Sequence, residues 1–467
     1  MGTKRKIATI SILSLTFLSS CSQNTVKVPD EIKEIQAEFQ TYAPSHLVHD
    51  YGKSQGYNFL PSSGKQSILV LPIMFNNLTC GNECGQVIKN IDTSLNGYNY
   101  DDNQLFTSVH DYYYQSSYGS LDLDFEVYNE MITDENSLAY YLSLVRKDPD
   151  SAAEISTQIV NSAYNTLSID KKYNSIMAVY YVDNRKMSDI EKELFWSYTI
   201  NFGSDNTYDY SNYLWASYYD LFDVSNYGLD THTYIHEVAH LLGIDDYYNY
   251  DNSQYNPTSV LETMVGNVGD HNAYTKMLLG WINPITPKSN GYINLRPFET
   301  SGDALVIGNN WNGSTFDEYI VLTYYTPTGL NGRDLKYPVF SMYNKPGIMV
   351  YHVDSRVGRI FDNGLFSFVE NSDDLFVNSK KYEIIHSNTP SKTISNDKSN
   401  YLISLIENRE TNYAMSGYLT DSSCLFSKGS SFGDGYYEDF AFHSGKKPDY
   451  KFYVGDLNDN ATIYVTK

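Results

Sequence analysis

The chain has 467 residues and a formal net charge of −23, from 56 Asp and Glu against 33 Lys and Arg side chains. A chain of this length can form two domains with a sizeable core. So acidic a composition argues against a nucleic-acid partner, which would require a basic surface, whereas acidic loops are compatible with bound Ca²⁺.

The first twenty residues have the pattern of a bacterial lipoprotein signal peptide. The basic segment Lys4–Lys6 precedes an apolar run, Ile7–Leu18, which is too short to span a bilayer as a stable helix. The run ends in Leu18-Ser19-Ser20-Cys21, the order of a lipobox. We expect residues 1–20 to be removed and Cys21 to carry a lipid, palmitate included, that anchors a secreted protein to the extracellular face of the cell membrane. An ordinary secretory signal with an unrelated cysteine is the alternative.

Residues 21–65 are polar and are predicted to form a tether, with one short helical pattern over Glu31–Phe39. A mixed α/β domain is predicted next, over residues 66–285, up to the Pro-rich segment Asn283–Pro287. Its predicted elements are buried or alternating strands over 67–75, 121–127 and 176–182, a helix opened by a capping box at Ser151–Glu154, and a helix over about 231–243.

Beyond residue 285 the helical periodicity almost disappears. Alternating apolar and polar residues there predict a β-rich, sandwich-like region over residues 286–467, part of which can instead complete the preceding domain. The predicted fold class is therefore α+β, with a mixed α/β domain followed by a β-rich C-terminal region.

The most informative segment is His236-Glu237-Val238-Ala239-His240-Leu241-Leu242-Gly243. On a helix, His236 and His240 project from one face because they are four residues apart, so both imidazoles can bind one metal ion. Glu237 is rotated by about 100° from His236, where it can act as general base toward a water molecule at the metal. Without a metal, a buried helix would have to hide these polar groups at a high cost. The pattern therefore predicts a catalytic zinc site.

The third ligand is predicted to be Asp246. Gly243 can end the helix in a left-handed conformation that turns the chain and returns Asp246 toward the ion. The alternatives are Asp245 first, and then Glu262 and His271, which lie at offsets where other zinc enzymes place a third ligand.

Further segments extend the pattern along the chain. Met264, within Leu261–Gly266, has the position of the methionine in a metzincin Met-turn, and Lys276–Trp281 follows it. Together with Val109–Asp122 upstream and Gly347–Asp354 downstream, these segments resemble the immune inhibitor A-like zinc metallopeptidases, a metzincin family. The resemblance runs from about Ser67 to Asp354 and continues more weakly to the C terminus.

The resemblance implies a metzincin-like catalytic domain over residues 66–285 that hydrolyses peptide bonds of extracellular proteins, with Zn²⁺ as cofactor. Met264 is then a support beneath the metal and not a ligand. The candidates for stabilising the oxyanion are Tyr247, Tyr248 and Tyr274. A catalytically decayed surface-binding protein or adhesin is the alternative function, and the intact Glu237 argues against it.

Other residues with metal-binding or redox chemistry are given structural roles. Cys80 and Cys84 are close enough for a local disulfide, which an extracellular compartment permits without requiring, and Cys424 is left over. His232 lies one helical turn before His236 and is expected to be structural. A packing role is also expected for His352 and Asp354, which share one face of a predicted strand, with calcium binding as the alternative.

Overall fold

A computed structural model describes residues 27–97, 106–167, 169–222, 228–252, 255–335, 343–369 and 382–467. The predicted signal peptide and the predicted lipidation site at Cys21 lie outside the described residues. Among the described residues, no helix combines the length and the apolar character that crossing a membrane requires.

The helices in this part of the chain are short to medium in length. They are α1 (Val48–Gln55), α2 (Cys84–Asn96), α3 (Val109–Ser116), α4 (Leu138–Lys147), α5 (Ala152–Asn165), α6 (Asp189–Phe195), α7 (His232–Leu241), α8 (Thr263–Gly266), α9 (Ala273–Leu278), α10 (Phe298–Ser301) and α11 (Gly329–Asp334).

The strands that the described residues form are distributed over four sheets. They are β1 (Phe39–Thr41), β2 (Gly64–Phe75), β3 (Leu121–Val127), β4 (Ile132–Asp134), β5 (Ser175–Tyr180), β6 (Tyr198–Asn201), β7 (Asn212–Ser217), β8 (Ile285–Pro287), β9 (Gly291–Leu295), β10 (Ala304–Gly308), β11 (Glu318–Tyr325), β12 (Gly347–Asp354), β13 (Val357–Ile360), β14 (Phe366–Phe368), β15 (Tyr382–Ile384), β16 (Ile403–Ile406), β17 (Ser431–Phe432), β18 (Lys451–Leu457) and β19 (Ala461–Thr466).

The chain divides into two compact units. Val48–Asp245 forms one, here called the α/β unit; Met1–Leu47 and Asp246–Lys467 form the other, here called the β-rich unit. These bounds differ from the predicted boundaries at residues 65 and 285, because α9 packs against β11 and β8 joins a sheet of the β-rich unit. The predicted limits of the catalytic domain, residues 66 and 285, stay predictions.

The α/β unit is built on a mostly parallel sheet in the order β3-β2-β5-β7-β6, with β4 also paired to β2. Only β6, at one edge, runs antiparallel to its neighbour. Every residue of β5 and β7 is buried, as expected for central strands covered on both faces. The strands predicted over 67–75, 121–127 and 176–182 are confirmed as β2, β3 and β5 within a few residues.

The predicted helix after Ser151 is confirmed as α5, but its capping box is wrong. The side chain of Ser151 accepts no capping hydrogen bond; its hydroxyl instead donates to the Asp148 carbonyl at 2.7 Å. A 3₁₀ turn, Pro149–Ser151, leads directly into the helix, and the serine therefore lies within a helical path instead of before it.

The β-rich unit contains a six-stranded sheet, β1-β8-β10-β11-β12-β16, and a four-stranded sheet, β17-β18-β19-β9. A third, smaller sheet has the order β14-β13-β15. Both larger sheets contribute apolar side chains to one core, among them Ile293, Leu305, Ile320, Val350 and Phe452. Two sheets that share a core agree with the sandwich-like expectation, and the chain as a whole is α+β, as predicted.

Part of the predicted tether is folded. The helix predicted over Glu31–Phe39 is wrong: only a 3₁₀ turn, Asp30–Ile32, forms, and β1 pairs antiparallel with β8. Ala37, which is 3% exposed, belongs to the core of the β-rich unit. Pairing with a distant strand thus overrides the weak local helical pattern.

The disulfide that the sequence permits between the two neighbouring cysteines is present. Cys80 and Cys84 form a disulfide at the start of α2, and Cys424 is free and buried.

Candidate metal centre

Helix α7 carries both motif histidines and is held by its apolar face. The side chains that anchor it are at most 1% exposed: Tyr234, Ile235, Val238, Ala239 and Leu241. At its N-terminus, the Asp230 carboxylate accepts from the backbone N–H of His232 at 3.0 Å and lies 2.5 Å from Nδ1 of the His232 ring. This pairing gives His232 the structural role that its spacing predicted.

The edge strand β6 fixes α7 on the sheet. The Thr199 hydroxyl donates to the carbonyl oxygen of Glu237 at 2.9 Å, and the Asn201 amide donates to the carbonyl oxygen of His240 at 3.2 Å. These two bonds attach the strand to the backbone of the motif residues themselves. The orientation of the motif is therefore set by the sheet as well as by the helix.

The two motif histidines present their Nε2 atoms to each other. These atoms are 3.2 Å apart, and the ring planes are inclined by 84°. Two nitrogens bound to one tetrahedral zinc at about 2.0–2.1 Å would be separated by about 3.3 Å. Nδ1 of His240 lies 2.6 Å from the Ile244 carbonyl oxygen, which places the proton on Nδ1 and leaves the Nε2 lone pair for a ligand.

Gly243 ends the helix in the left-handed conformation that its sequence position predicted. Its φ is +91°, and a Cβ at this residue would lie 2.4 Å from Cδ2 of Phe59, so both the backbone and the space require glycine. The Ile244 N–H donates back to the Ala239 carbonyl at 3.0 Å, which closes the C-terminal turn.

This local turn brings Asp246 beside the histidines. Ligand atoms of His236, His240 and Asp246 all lie within 4.8 Å of one another. Asp246 follows α7 by five residues, so its place is set by the chain between Leu241 and itself. Asp245, the first alternative ligand, is exposed.

A neighbouring phenol holds the Asp246 carboxylate. The Tyr250 hydroxyl donates to Oδ2 of Asp246. Burial, together with the Asp246 charge, raises the pKa of Tyr250, so the phenol stays protonated as a hydrogen-bond donor. Metal-binding carboxylates are commonly held by such a hydrogen bond, so Asp246 has the surroundings of a candidate ligand.

Glu237 lies on the same helix but outside the ligand set. Glu237 is 5% exposed, and the Thr199 hydroxyl lies 3.3 Å from Oε2 of its carboxylate. Thr199 therefore contacts both the carbonyl and the carboxylate of Glu237. A carboxylate held in this way is oriented, and its place one residue after His236 makes it the candidate for proton transfer.

The remaining alternative ligands pair with each other. Glu262 and His271 are each fully buried, and Oε1 of Glu262 lies 3.8 Å from Nδ1 of His271. The Glu262 carboxylate also accepts from the Met264 N–H, where it caps the short helix α8. Both residues are thus used inside the β-rich unit.

The predicted Met-turn residue and the candidate tyrosines lie in the β-rich unit. Met264 is fully buried, and its carbonyl oxygen accepts from the backbone N–H of Tyr247 at 3.0 Å. The Tyr247 hydroxyl pairs with that of Thr275 at 2.9 Å, and Tyr247 and Tyr274 are each 1% exposed. Among the three candidate tyrosines, only Tyr248 is not buried.

Sequence reasoning missed three residues of this centre: Thr199, Asn201 and Tyr250. The first two come from an edge strand that precedes the helix by more than thirty residues, and no motif marks them. Tyr250 lies in a segment rich in tyrosine, so the presence of one more tyrosine did not indicate a role at the centre.

Compared with protein-family models and with curated proteins, the chain shows no match. The interpretation of the centre therefore depends on its own geometry.

Proposed function

We propose that the chain is a membrane-anchored, metzincin-type zinc endopeptidase that hydrolyses extracellular proteins, similar to the immune inhibitor A-like metallopeptidases. The observation that carries the proposal is the convergence of His236, His240 and Asp246. Glu237 follows His236 directly in the chain. Two imidazoles and one carboxylate are a donor set that zinc enzymes use, and three protein ligands leave a position for substrate or water.

The three side chains fit zinc by chemistry and by spacing. The Nε2 atoms of the two histidines have the separation that a shared tetrahedral ion needs, and the hydrogen bond from Nδ1 of His240 leaves its Nε2 unprotonated. When bound, zinc would polarise the scissile carbonyl and make a water molecule more acidic.

Glu237 has the role of general base. Its carboxylate takes a proton from the attacking water and returns it to the leaving amine. The Thr199 hydroxyl, 3.3 Å from Oε2, restricts the rotation of this carboxylate and so keeps it oriented. Tyr250 contributes indirectly, because its hydroxyl donates to Asp246 and orients that carboxylate.

The test is the substitution Glu237→Gln in the purified chain, with casein as substrate. The expected result is the same zinc content as wild type and a loss of cleavage of about 10²–10⁴-fold, the usual contribution of a general base. Glu130→Gln is the matched control, because Glu130 is exposed and lies in the same unit.

Two outcomes would reject parts of the proposal. Equal cleavage by wild type and Glu237→Gln removes Glu237 from the mechanism. Wild-type chain that binds zinc but cleaves no protein substrate favours the surface-binding alternative.

A further inference from the structure

A second set of histidines and carboxylates lies inside the β-rich unit. It is here called the Glu318 cluster, and it consists of Glu318, His352, Asp354, Arg356, His386 and His443. Glu318 begins β11, His352 and Asp354 lie on β12, and the other three come from segments outside the strands. The first strand pair sets the arrangement, because Glu318 is the direct cross-strand partner of Asp354.

Three of these side chains present ligand atoms to a common point. Oε1 of Glu318 lies 3.1 Å from Nε2 of His352 and 3.8 Å from Nδ1 of His443. All three ligand atoms are within 4.8 Å of one another. Ligands of a tetrahedral zinc are separated by about 3.3 Å, so small adjustments would bring all three onto one ion.

The charge of the cluster leaves room for a cation. Arg356 makes two hydrogen bonds to Asp354, at 2.7 and 2.9 Å, and lies 3.6 Å from Glu318. Two carboxylates and one guanidinium leave one negative charge in a buried place. The imidazoles can balance it in two ways, by taking up a proton or by binding a metal.

A third histidine supports the metal-binding alternative. His386 is fully enclosed, with Nε2 3.0 Å from Oδ2 of Asp354, and its Nδ1 has no hydrogen-bond partner among the described residues. Three imidazoles around two carboxylates exceed what a simple ion pair with Arg356 requires.

We infer that Glu318, His352 and His443 form a second, structural site for a divalent transition metal such as zinc, separate from the α7 histidines. Nδ1 of His443 lies 2.8 Å from Oδ2 of Asp354, so metal binding replaces the proton that joins these two atoms and releases it to solvent. The metal would link the segment around His443 to β11 and β12. This inference does not depend on the proposed peptidase activity.

Zinc counting in the full chain tests the inference. The double variant His236→Ala/His240→Ala removes the α7 ligands, and we expect it to keep one equivalent of zinc while wild type holds two. Adding His443→Gln should remove the remaining equivalent. His443 is the suitable position because its side chain is 23% exposed, so its replacement disturbs the core least.

His110→Gln is the matched control, since His110 also pairs with carboxylates and is 28% exposed, but lies in the α/β unit. Added to the double variant, it should leave the zinc equivalent in place. Zinc should also raise the thermal midpoint of the double variant, and His443→Gln should abolish that rise.

The outcomes separate the two sites. A double variant that is folded by circular dichroism and holds no zinc overturns the inference, as does zinc that persists after His443→Gln. A wild-type chain with one equivalent that survives in the double variant supports this site and rejects the one on α7.

Discussion

The two histidine clusters of this chain are assembled in opposite ways. The α7 cluster lies within residues 236–246 and is formed by one helix and the turn after it. The Glu318 cluster draws its members from residues 318–443, and the register of β11 on β12 brings them together.

The carboxylates of the two clusters also differ in their hydrogen-bond partners. Glu237 follows His236 in the chain and is not part of the ligand set, and the Thr199 hydroxyl is its hydrogen-bond neighbour. Asp354 accepts from Arg356 twice and from His443, while Glu318 accepts from the backbone N–H of Ser444 at 3.0 Å. Damage to the α7 cluster should therefore reduce activity, and damage to the Glu318 cluster should reduce stability.

The largest effect is expected from Asp246→Asn. A neutral amide is a poorer zinc ligand than a carboxylate, so zinc affinity and protein cleavage should both fall by more than the roughly 10–100-fold cost of losing a second-shell partner. The unfolding free energy should change little. Zinc titration and casein cleavage measure the first two quantities, and urea unfolding measures the third.

Asp245→Asn is the control for this substitution, because Asp245 is adjacent and exposed. It should behave as wild type. If it lost more zinc than Asp246→Asn, the third ligand would have to be reassigned to Asp245.

The next effect, on stability, is expected from Asp354→Asn. This change removes the carboxylate nearest to Arg356 together with its hydrogen bonds, while Glu318 stays 3.6 Å from the guanidinium. The loss of unfolding free energy should therefore approach, without exceeding, the roughly 3–5 kcal/mol that breaking a buried ion pair costs. Urea unfolding in the presence of a chelator gives the value without any contribution from bound metal. Activity per folded molecule should stay near that of wild type.

Asp362→Asn is the matched control, since Asp362 is exposed and follows β13 in the same unit. A surface change of this kind is expected to stay within about 0.5 kcal/mol of wild type. A cost for Asp354→Asn no larger than that of the control would mean that the cluster is not a stabilising network.

The difference between a cluster formed locally and one formed from distant segments explains which site residues the sequence could predict. His236, Glu237, His240 and Asp246 were found because helix periodicity and one left-handed glycine determine their geometry. His352 and Asp354 were correctly placed on one strand face, but nothing in the chain linked them to Glu318 or His443. That link requires the strand register and a loop more than eighty residues later.

For the fold as well, elements determined by local sequence were predicted better than elements that depend on distant pairing. Buried strands with a strong apolar pattern, such as β2 and β5, were predicted within a few residues. The weak apolar pattern over residues 31–39 predicts a helix, whereas the strand β1 forms by pairing with β8, far along the chain. The division between the two units at Asp246 depends on packing such as that of α9 on β11, which no local sequence pattern marks.

The smallest effect is expected from Glu191→Gln, at a carboxylate whose partners are mostly local. Oε2 of Glu191 accepts from the N–H and the hydroxyl of Ser188, each at 2.7 Å, in a capping box of α6, and Oε1 pairs with Arg146. These hydrogen bonds, from Ser188 first, lower the pKa of Glu191 from 4.5 to about 2. The side chain of Arg146 is 57% exposed, so solvent weakens its part of the interaction.

The sign of the pH dependence follows from this lowered pKa. The ionised carboxylate stabilises the fold above pH 4.5, and this contribution is lost as the pH falls from 4.5 toward 2. Glu191→Gln should therefore cost about 1–2 kcal/mol at pH 7, the size of a helix cap, and progressively less in acid. Urea unfolding of both proteins at pH 7 and at low pH measures the difference, with Glu193→Gln on the same helix as control. An equal cost at both values would show that Glu191 acts through packing, and the contrast between a local and a dispersed carboxylate would then not rest on charge.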